Sequence, residues 1–196
     1  MKHALLISLF ASTLGFATQA TANEPHQIGA QLNGGSAKYK SSSQDGDGVA
    51  ELYFFYNYQF DPIWSLEAGI TTGAEVDDWD CKDVNDDKFV CQRDNDALFK
   101  LNANKLDYNH FSVAAKAQFE LTENSDLYGK VGVLRYDYEM KNGSKRVVDE
   151  DGFGYLAEAG WQYQWQNGIG LNIALRYTDM GDLDTTTLGA GISYRF

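Results

Sequence analysis

Apolar and polar residues alternate with a period of two along most of this chain, the spacing expected of strands whose two faces meet different surroundings. From about Gln27 to Tyr39, Ile28, Ala30 and Leu32 share one face, with Gly34 and Gly35 beyond. Leu52, Phe54, Tyr56, Tyr58 and Phe60 then oppose Glu51, Tyr53, Phe55, Asn57 and Gln59. A third stretch, about Trp64 to Val76, sets Trp64, Leu66, Ala68 and Ile70 against Glu67, Gly69, Thr71 and Gly73. The pattern lapses from Asp77 to about Asp107, then resumes with Phe111, Val113, Ala115, Ala117 and Phe119 against His110, Ser112, Lys116, Gln118 and Glu120. Leu127, Val131 and Val133 oppose Tyr128, Lys130, Gly132 and Leu134, while Arg135 to Met140 fits either parity. Tyr155, Ala157, Ala159, Trp161, Tyr163 and Trp165 oppose Leu156, Glu158, Gly160, Gln162 and Gln164. Ile169, Leu171, Ile173, Leu175 and Tyr177 oppose Gly170, Asn172, Ala174 and Arg176. Last, Leu188, Ala190, Ile192, Tyr194 and Phe196 oppose Thr187, Gly189, Gly191, Ser193 and Arg195.

This pattern predicts an all-β chain of eight antiparallel strands. Short turns are expected at Asp61-Pro62, Thr122 to Asp126 and Asn167-Gly168, the last a strong hairpin signal. Longer loops are expected to begin near residues 40, 77, 140 and 179, including a charged loop from Met140 to Asp151 and a last one from Asp179 to Thr185. Such alternation of short and long connections is the asymmetry of an up-and-down transmembrane barrel, with tight turns inside and longer loops outside. Tyr58, Phe60, Trp64, Phe119, Tyr163, Trp165, Tyr194 and Phe196 gather at the short-turn ends, where amphipathic rings suit the lipid headgroup level. A soluble calyx also alternates, but its apolar side would have to face inward to bind an apolar ligand. Here the large apolar residues share one face, and the other is mostly small or charged.

The two termini add targeting signals. Lys2 and His3 precede an apolar run from Ala4 to about Ala17, and Ala20-Thr21-Ala22 offers a small-x-small cleavage site, so residues 1–22 are expected to be a cleaved signal peptide and 23–196 the barrel domain. The last residues resemble the C-terminal assembly signal of bacterial outer-membrane barrels. Gly191, Tyr194 and Phe196 fill its glycine, hydrophobic and final aromatic positions, and Gly189 stands where a polar residue is usual. Together with Asp126-Leu127-Tyr128-Gly129-Lys130-Val131-Gly132, this stretch makes the mature chain similar to the eight-stranded outer-membrane barrels of the OmpA transmembrane-domain and OmpX type. The resemblance implies the cell outer membrane as location. It also implies outer-membrane lipid, lipopolysaccharide and the barrel-assembly machinery as partners. A monomer without a cofactor is expected, and the peptidoglycan-binding domain of full OmpA proteins has no room here.

Composition narrows the function. The formal net charge of -12 becomes -13 once Lys2 is removed with its acid-free leader, which argues against nucleic acid as a partner. After residue 22 no apolar run reaches the roughly 18 residues of a membrane helix, so insertion requires a closed barrel. Cys81 and Cys91, in an exported chain, most simply form a disulfide; a free pair or a metal site is the alternative.

Candidate chemistry is sparse. The face opposite the lipid carries Glu51, Glu67, Glu120 and Glu158 with Lys116, Lys130, Arg176 and Arg195. An eight-stranded interior is just wide enough for side chains to fill, so these charges are expected to pair as a lumen network; a narrow gated pore is the alternative. His110 and Ser112 share a face in a His-x-Ser spacing resembling that of lipid A deacylases, but this register points both into the barrel. The insertion from Asp77 to Asp107 holds nine aspartates and both cysteines. There Asp83, Asn85, Asp87 and Asp94 match positions of a calcium loop, although Lys88 stands where that loop requires glycine. Trp79, Phe89, Phe99 and Leu101 lie among these charges, to order the segment or to meet an extracellular partner at 77–107. The expected role is therefore structural or adhesion-like, exerted through the outer loops and without catalysis; a lipid-modifying barrel enzyme is the competing class.

Overall fold

The computed structural model describes residues 24–40, 42, 45–76, 79–85, 88–93 and 97–196, with backbone alone for 45–47, 79–85, 88–93 and 100. The expected leader lies outside the described residues. Eight strands close into an antiparallel barrel: β1 (His26–Tyr39), β2 (Asp45–Gln59), β3 (Trp64–Glu75), β6 (Lys105–Thr122), β7 (Ser125–Asn142), β8 (Lys145–Gln164), β9 (Ile169–Met180) and β10 (Leu183–Arg195). Between β3 and β6, β4 (Trp79–Asn85) and β5 (Lys88–Arg93) form a separate two-stranded sheet, followed by a single 3-10 turn at Leu98–Lys100. Closure comes from β1 pairing with β10. His26 and Phe196 exchange backbone hydrogen bonds there, and their rings stack 5.7 Å apart. The terminal aromatic is thus held in the wall, leaving no free sheet edge at lipid depth.

Where the wall crosses lipid, the faces follow the alternation. Leu66, Ile70, Val113, Leu171, Ile173 and Ile192 point outward, whereas Glu51, Glu67, Lys116, Lys130, Glu158 and Arg176 are buried inside. The inner rim carries the expected belt, with Phe60, Trp64, Phe119, Trp165 and Phe196 exposed.

Two expectations about the outer end are corrected. Met140 to Asp151 is no loop: β7 and β8 run on as a hairpin that turns at Gly143, whose φ of 58° suits glycine. Nor is Asp179 to Thr185 a loop, because β9 and β10 meet at a tight turn with Gly181 at φ 76°. Charge made both segments look irregular. Their strands have left the lipid, so their outward faces meet water and carry charge.

The pleat continues while its surroundings change, and the polarity of its faces inverts. Along β7 the outward residues go from Val131 and Val133 to Arg135, Asp137 and Glu139, while the inward ones go from Lys130 to Leu134, Tyr136, Tyr138 and Met140. The same exchange occurs in β6 outward from Asn109, where Tyr108 and Leu106 are buried between Asn109, Asp107 and Lys105, and in β8 the outward face turns to Asp151 and Asp149 beyond Phe153. Those positions are aligned by register, Phe111 opposite Arg135 and Arg135 opposite Phe153. They mark the outer edge of the apolar band. At 18 and 20 residues, β7 and β8 greatly exceed the roughly 9–11 residues that span a bilayer.

The segment expected to lack structure, 77–107, is also more ordered than its composition suggests. Its backbone forms the β4–β5 hairpin, with Cys81 directly opposite Cys91. Asp87 and Asp94 of the calcium-loop reading lie outside the described residues.

Candidate functional site: the barrel interior and its outer mouth

Period-two pleating puts one side chain from every second residue into the lumen, and eight strands leave space only for those side chains. At mid-height the strands bring Glu67, Lys130, Glu158 and Arg176 together. Lys130 Nζ lies 2.6 Å from Glu67 Oε1 and 3.0 Å from Glu158 Oε1. Arg176 donates from Nε to Glu158 Oε2 at 2.6 Å and from Nη2 to Gln31 at 2.8 Å. Tyrosine hydroxyls complete the carboxylates: Tyr53 donates to Glu67 at 2.6 Å and Tyr128 to Glu158 at 2.9 Å. The Arg176 guanidinium also lies 3.9 Å from the centre of the Tyr53 ring. Desolvated charges persist only when their remaining lone pairs and protons are satisfied, and here the tyrosines and Gln31 supply those partners.

Glu51 belongs to a different environment. Among the described residues no cation forms an ion pair with it; instead Tyr108, Thr185, Thr187 and Asn33 all donate to its two oxygens, at 2.9 to 3.3 Å. Lys116 likewise forms no ion pair among the described residues, donating to Gln162 at 2.8 Å and lying over the Tyr128 ring. Glu120 is exposed near the β6–β7 turn and joins no part of the network. Arg195 stands half-buried at the inner end, where Asp126 is the charge that acts on it. The sequence-level set is therefore split into one ion-paired cluster, two separately solvated charges and two residues at the inner rim.

Small residues make room for these rings. At Gly69 a Cβ would collide with the Tyr53 ring, at Gly73 with Tyr108, and at Gly160 it would stand 2.6 Å from Tyr128. The tyrosines themselves escaped sequence-level reasoning about charge. Their signal was parity, since Tyr53 and Tyr128 share strand faces with Glu51 and Lys130.

Above the charges, the lumen is apolar. Leu106, Tyr108, Tyr138, Met140, Met180 and Leu183 form a buried cluster, and Leu98 and Phe99 of the 3-10 turn insert into it. Phe99 is 2 % exposed, packs against Tyr39 at 5.8 Å between rings, and adopts φ 52°, a conformation a phenylalanine keeps only when its surroundings impose it. Of the apolar residues noted in the long insertion, Phe99 thus turns inward and stoppers the outer mouth. Lys40 sits at the rim beside Asp179 at 3.3 Å and Asp184 at 4.0 Å; hydrogen bonding to Asp179 raises the pKa of its ammonium.

His110 and Ser112 are both buried in the lumen. Ser112 Oγ is 3.5 Å from the Gly69 carbonyl, and neither His110 ring nitrogen has a partner among the described residues. No base, nucleophile and orienting group meet there. Nor does any cluster of three metal-ligating side chains occur among the described residues.

A family model described as the outer membrane protein beta-barrel domain matches residues 8–196. Among solved structures, the chain is similar to Neisserial surface protein A, with a TM-score of 0.65 at 12% identity over 88% of this chain and 97% of that one. It is also similar to Ail, the attachment invasion locus protein of Yersinia pestis, with a TM-score of 0.57 at 16% identity over 88% and 99%. The outer membrane protein OprG from Pseudomonas aeruginosa gives a TM-score of 0.55 at 14% identity over 88% and 96%. At such identities the likeness is one of fold. No curated protein sequence matches.

Proposed function

The chain belongs to the outer membrane protein β-barrel domain family and resides in the outer membrane, and from that premise we propose that it is a surface-interaction protein whose closed barrel anchors outer segments that engage a partner outside the cell. The fold by itself does not choose between display, transport and catalysis. One observation carries the choice: the lumen is filled twice over, by the Glu67–Lys130–Glu158–Arg176 network and by the apolar stopper around Phe99. A path for solutes would have to separate desolvated ion pairs and also expel buried apolar side chains. What remains available is the outer hairpins, which stand in water well beyond the lipid.

The lipid-modifying alternative would need a nucleophile facing the outer leaflet. His110 and Ser112 face the lumen instead, which supports a non-enzymatic role. Outer-membrane lipid and lipopolysaccharide are then the surroundings of the wall, and the barrel-assembly machinery its insertion partner through Gly191, Tyr194 and Phe196. In the same reading Cys81 and Cys91, opposite each other on β4 and β5, are joined as a disulfide that braces the outer hairpin.

The test combines two measurements on the full chain. In planar bilayers the purified barrel is expected to give no steady conductance. Cells expressing it are expected to bind host-surface material in a manner lost when residues 78–104 are trimmed. Steady ion conduction, or a lipid A product that disappears with Ser112→Ala, would overturn the reading.

A further inference from the structure

At the inner rim two short turns lie side by side. Tyr163 of β8 stands opposite Ser125, the first residue of β7, and the Gln164 N–H donates to the Asn124 carbonyl at 2.8 Å. Just beyond, the Trp165 N–H donates to the Ile169 carbonyl at 2.8 Å and closes the β8–β9 turn, with Gly168 at φ 83°. Between this turn and that of β6–β7, Asn124, Tyr163, Trp165, Gln166 and Asn167 line a hollow of about 420 Å³.

The lining combines two chemistries. Tyr163 and Trp165 continue the outward parity of Trp161, which places their rings on the lipid side of the wall at the headgroup level. Their centres are 5.0 Å apart and their planes 73° apart, so the rings form two walls of a corner. The other three residues carry carboxamides. Asn167 Oδ1 accepts from the Ile169 N–H at 3.2 Å, leaving its amino group to donate elsewhere. Among the described residues no charged side chain lines the hollow. The adjoining charge in the chain is Glu123, exposed in the same turn as Asn124.

We infer that this hollow binds the headgroup of a zwitterionic phospholipid of the inner leaflet, its ammonium group against Tyr163 and Trp165 and its phosphate accepting from the carboxamides of Asn124, Gln166 and Asn167. Aromatic faces attract cations, tryptophan most strongly, and ammonium headgroups are recognised in this way. Carboxamide amino groups donate to phosphate oxygens without adding the positive charge that would favour an anionic lipid. The carboxylate of Glu123 disfavours an anionic headgroup further and favours an ammonium one. Rings with amides also suit a sugar, but depth decides between the two: a glycan of the cell wall would have to rise to the headgroup level, where phospholipid already lies. The site is on the rim opposite the outer loops, so it is independent of the surface-interaction reading.

The experiment places the full chain in detergent micelles carrying equal amounts of phosphatidylethanolamine and phosphatidylglycerol, and weighs the intact protein with its retained lipid by native mass spectrometry. Phosphatidylethanolamine is expected to be retained in preference to phosphatidylglycerol. Trp165→Leu keeps apolar bulk but removes the ring face, and should reduce that preference about three- to tenfold. The same change at Trp64, an exposed belt ring on β3 that does not line the hollow, should leave the preference unaltered. Gln166→Ala is expected to weaken retention of phosphatidylethanolamine by removing a phosphate donor. Heat-dependent gel mobility shows that each variant barrel is closed, and Tyr163→Leu reads the same loss should Trp165→Leu fail to fold.

Equal retention of the two lipids, or a preference for phosphatidylglycerol, would overturn the inference. A preference that survives both Trp165→Leu and Tyr163→Leu would overturn it too. Equal losses in Trp64→Leu and Trp165→Leu would mean that the belt as a whole selects the headgroup, and the hollow would have no part in it. If an N-acetylglucosamine disaccharide shifts the Trp165 indole N–H resonance and phosphatidylethanolamine does not, the hollow is a glycan site and the inference falls. The display reading depends on the outer loops and stands or falls apart from these results.

Discussion

Arg176 grips Glu158 across the β8–β9 pair, with Nε donating to Oε2 at 2.6 Å and both side chains shut away from water. Removing one member of a buried pair leaves the other uncompensated, at a cost of about 3–5 kcal/mol, whereas removing both together with apolar replacements is far cheaper. Glu158→Ala is therefore expected to lower the urea midpoint strongly, more than Glu51→Gln, whose partners are all neutral donors. The double variant Glu158→Leu with Arg176→Met should recover much of the loss. Equal unfolding midpoints for Glu158→Ala and the unaltered protein would sink the network account.

Tyr53 and Gly69 form a second coupled pair, since the ring occupies the space a side chain at 69 would need. Gly69→Val is expected to cost about 1–3 kcal/mol by overpacking. Tyr53→Ala removes the obstacle, so the two changes should be non-additive in a double-mutant cycle. Additive losses would mean that the ring has somewhere else to go.

Much of this arrangement was legible from alternation alone. Leu171, Ile173 and Leu175 against Asn172, Ala174 and Arg176 name both the lipid face and the lumen face, because inside the membrane the two surroundings differ sharply. Beyond the lipid that logic reverses. Arg135, Asp137 and Glu139 leave the parity of that part of the strand open until it is seen that Tyr136, Tyr138 and Met140 between them face an apolar core. Turn chemistry was a better guide than polarity there, for Asn142-Gly143 marked the hairpin that the charges concealed. Which charges pair was not legible: Glu51 and Glu67 occupy equivalent faces of neighbouring strands, yet only Glu67 meets a cation. That depends on strand tilt and on the reach of lysine and tyrosine side chains, neither of which is written in a period of two.

Phe99 gives a prediction for the outer mouth. Phe99→Ala removes a buried ring and keeps the unfavourable φ of 52°. The turn is expected to loosen, so that a protease added to intact cells cuts between residues 97 and 104 faster than in the unaltered protein. Conductance should remain absent, because the ion network below is untouched. Unchanged proteolysis would mean that Phe99 does not hold the turn in place.

The lipid register can be tested by depth. Ile173 lies mid-strand on the outer face, half exposed, whereas Thr186 lies on the same sheet near the outer turn. Arginine at a lipid-facing midplane position costs about 2–4 kcal/mol and near the interface about 0–1 kcal/mol. Ile173→Arg should therefore depress folding yield into vesicles far more than Thr186→Arg. Matching yields would show that the apolar band is centred elsewhere.

Asp184 supplies the pH-dependent case, at the outer rim and outside the lipid. Burial raises its pKa above the ordinary 3.8, against the pull of Lys40, and the neighbouring Asp179 adds to the rise. A carboxyl whose pKa is raised on folding binds its proton more tightly in the native state. Stability therefore declines as pH climbs from the ordinary carboxyl range through the raised folded value, and the penalty is full above it. Asp184→Asn removes the ionisation, so the variant should be the more stable above that window and lose its advantage in acid. Urea midpoints of the two proteins in vesicles, compared between pH 4 and pH 7, give the answer. A difference that grows toward acid would reverse the sign and show that Lys40, 4.0 Å away, outweighs burial at this carboxylate.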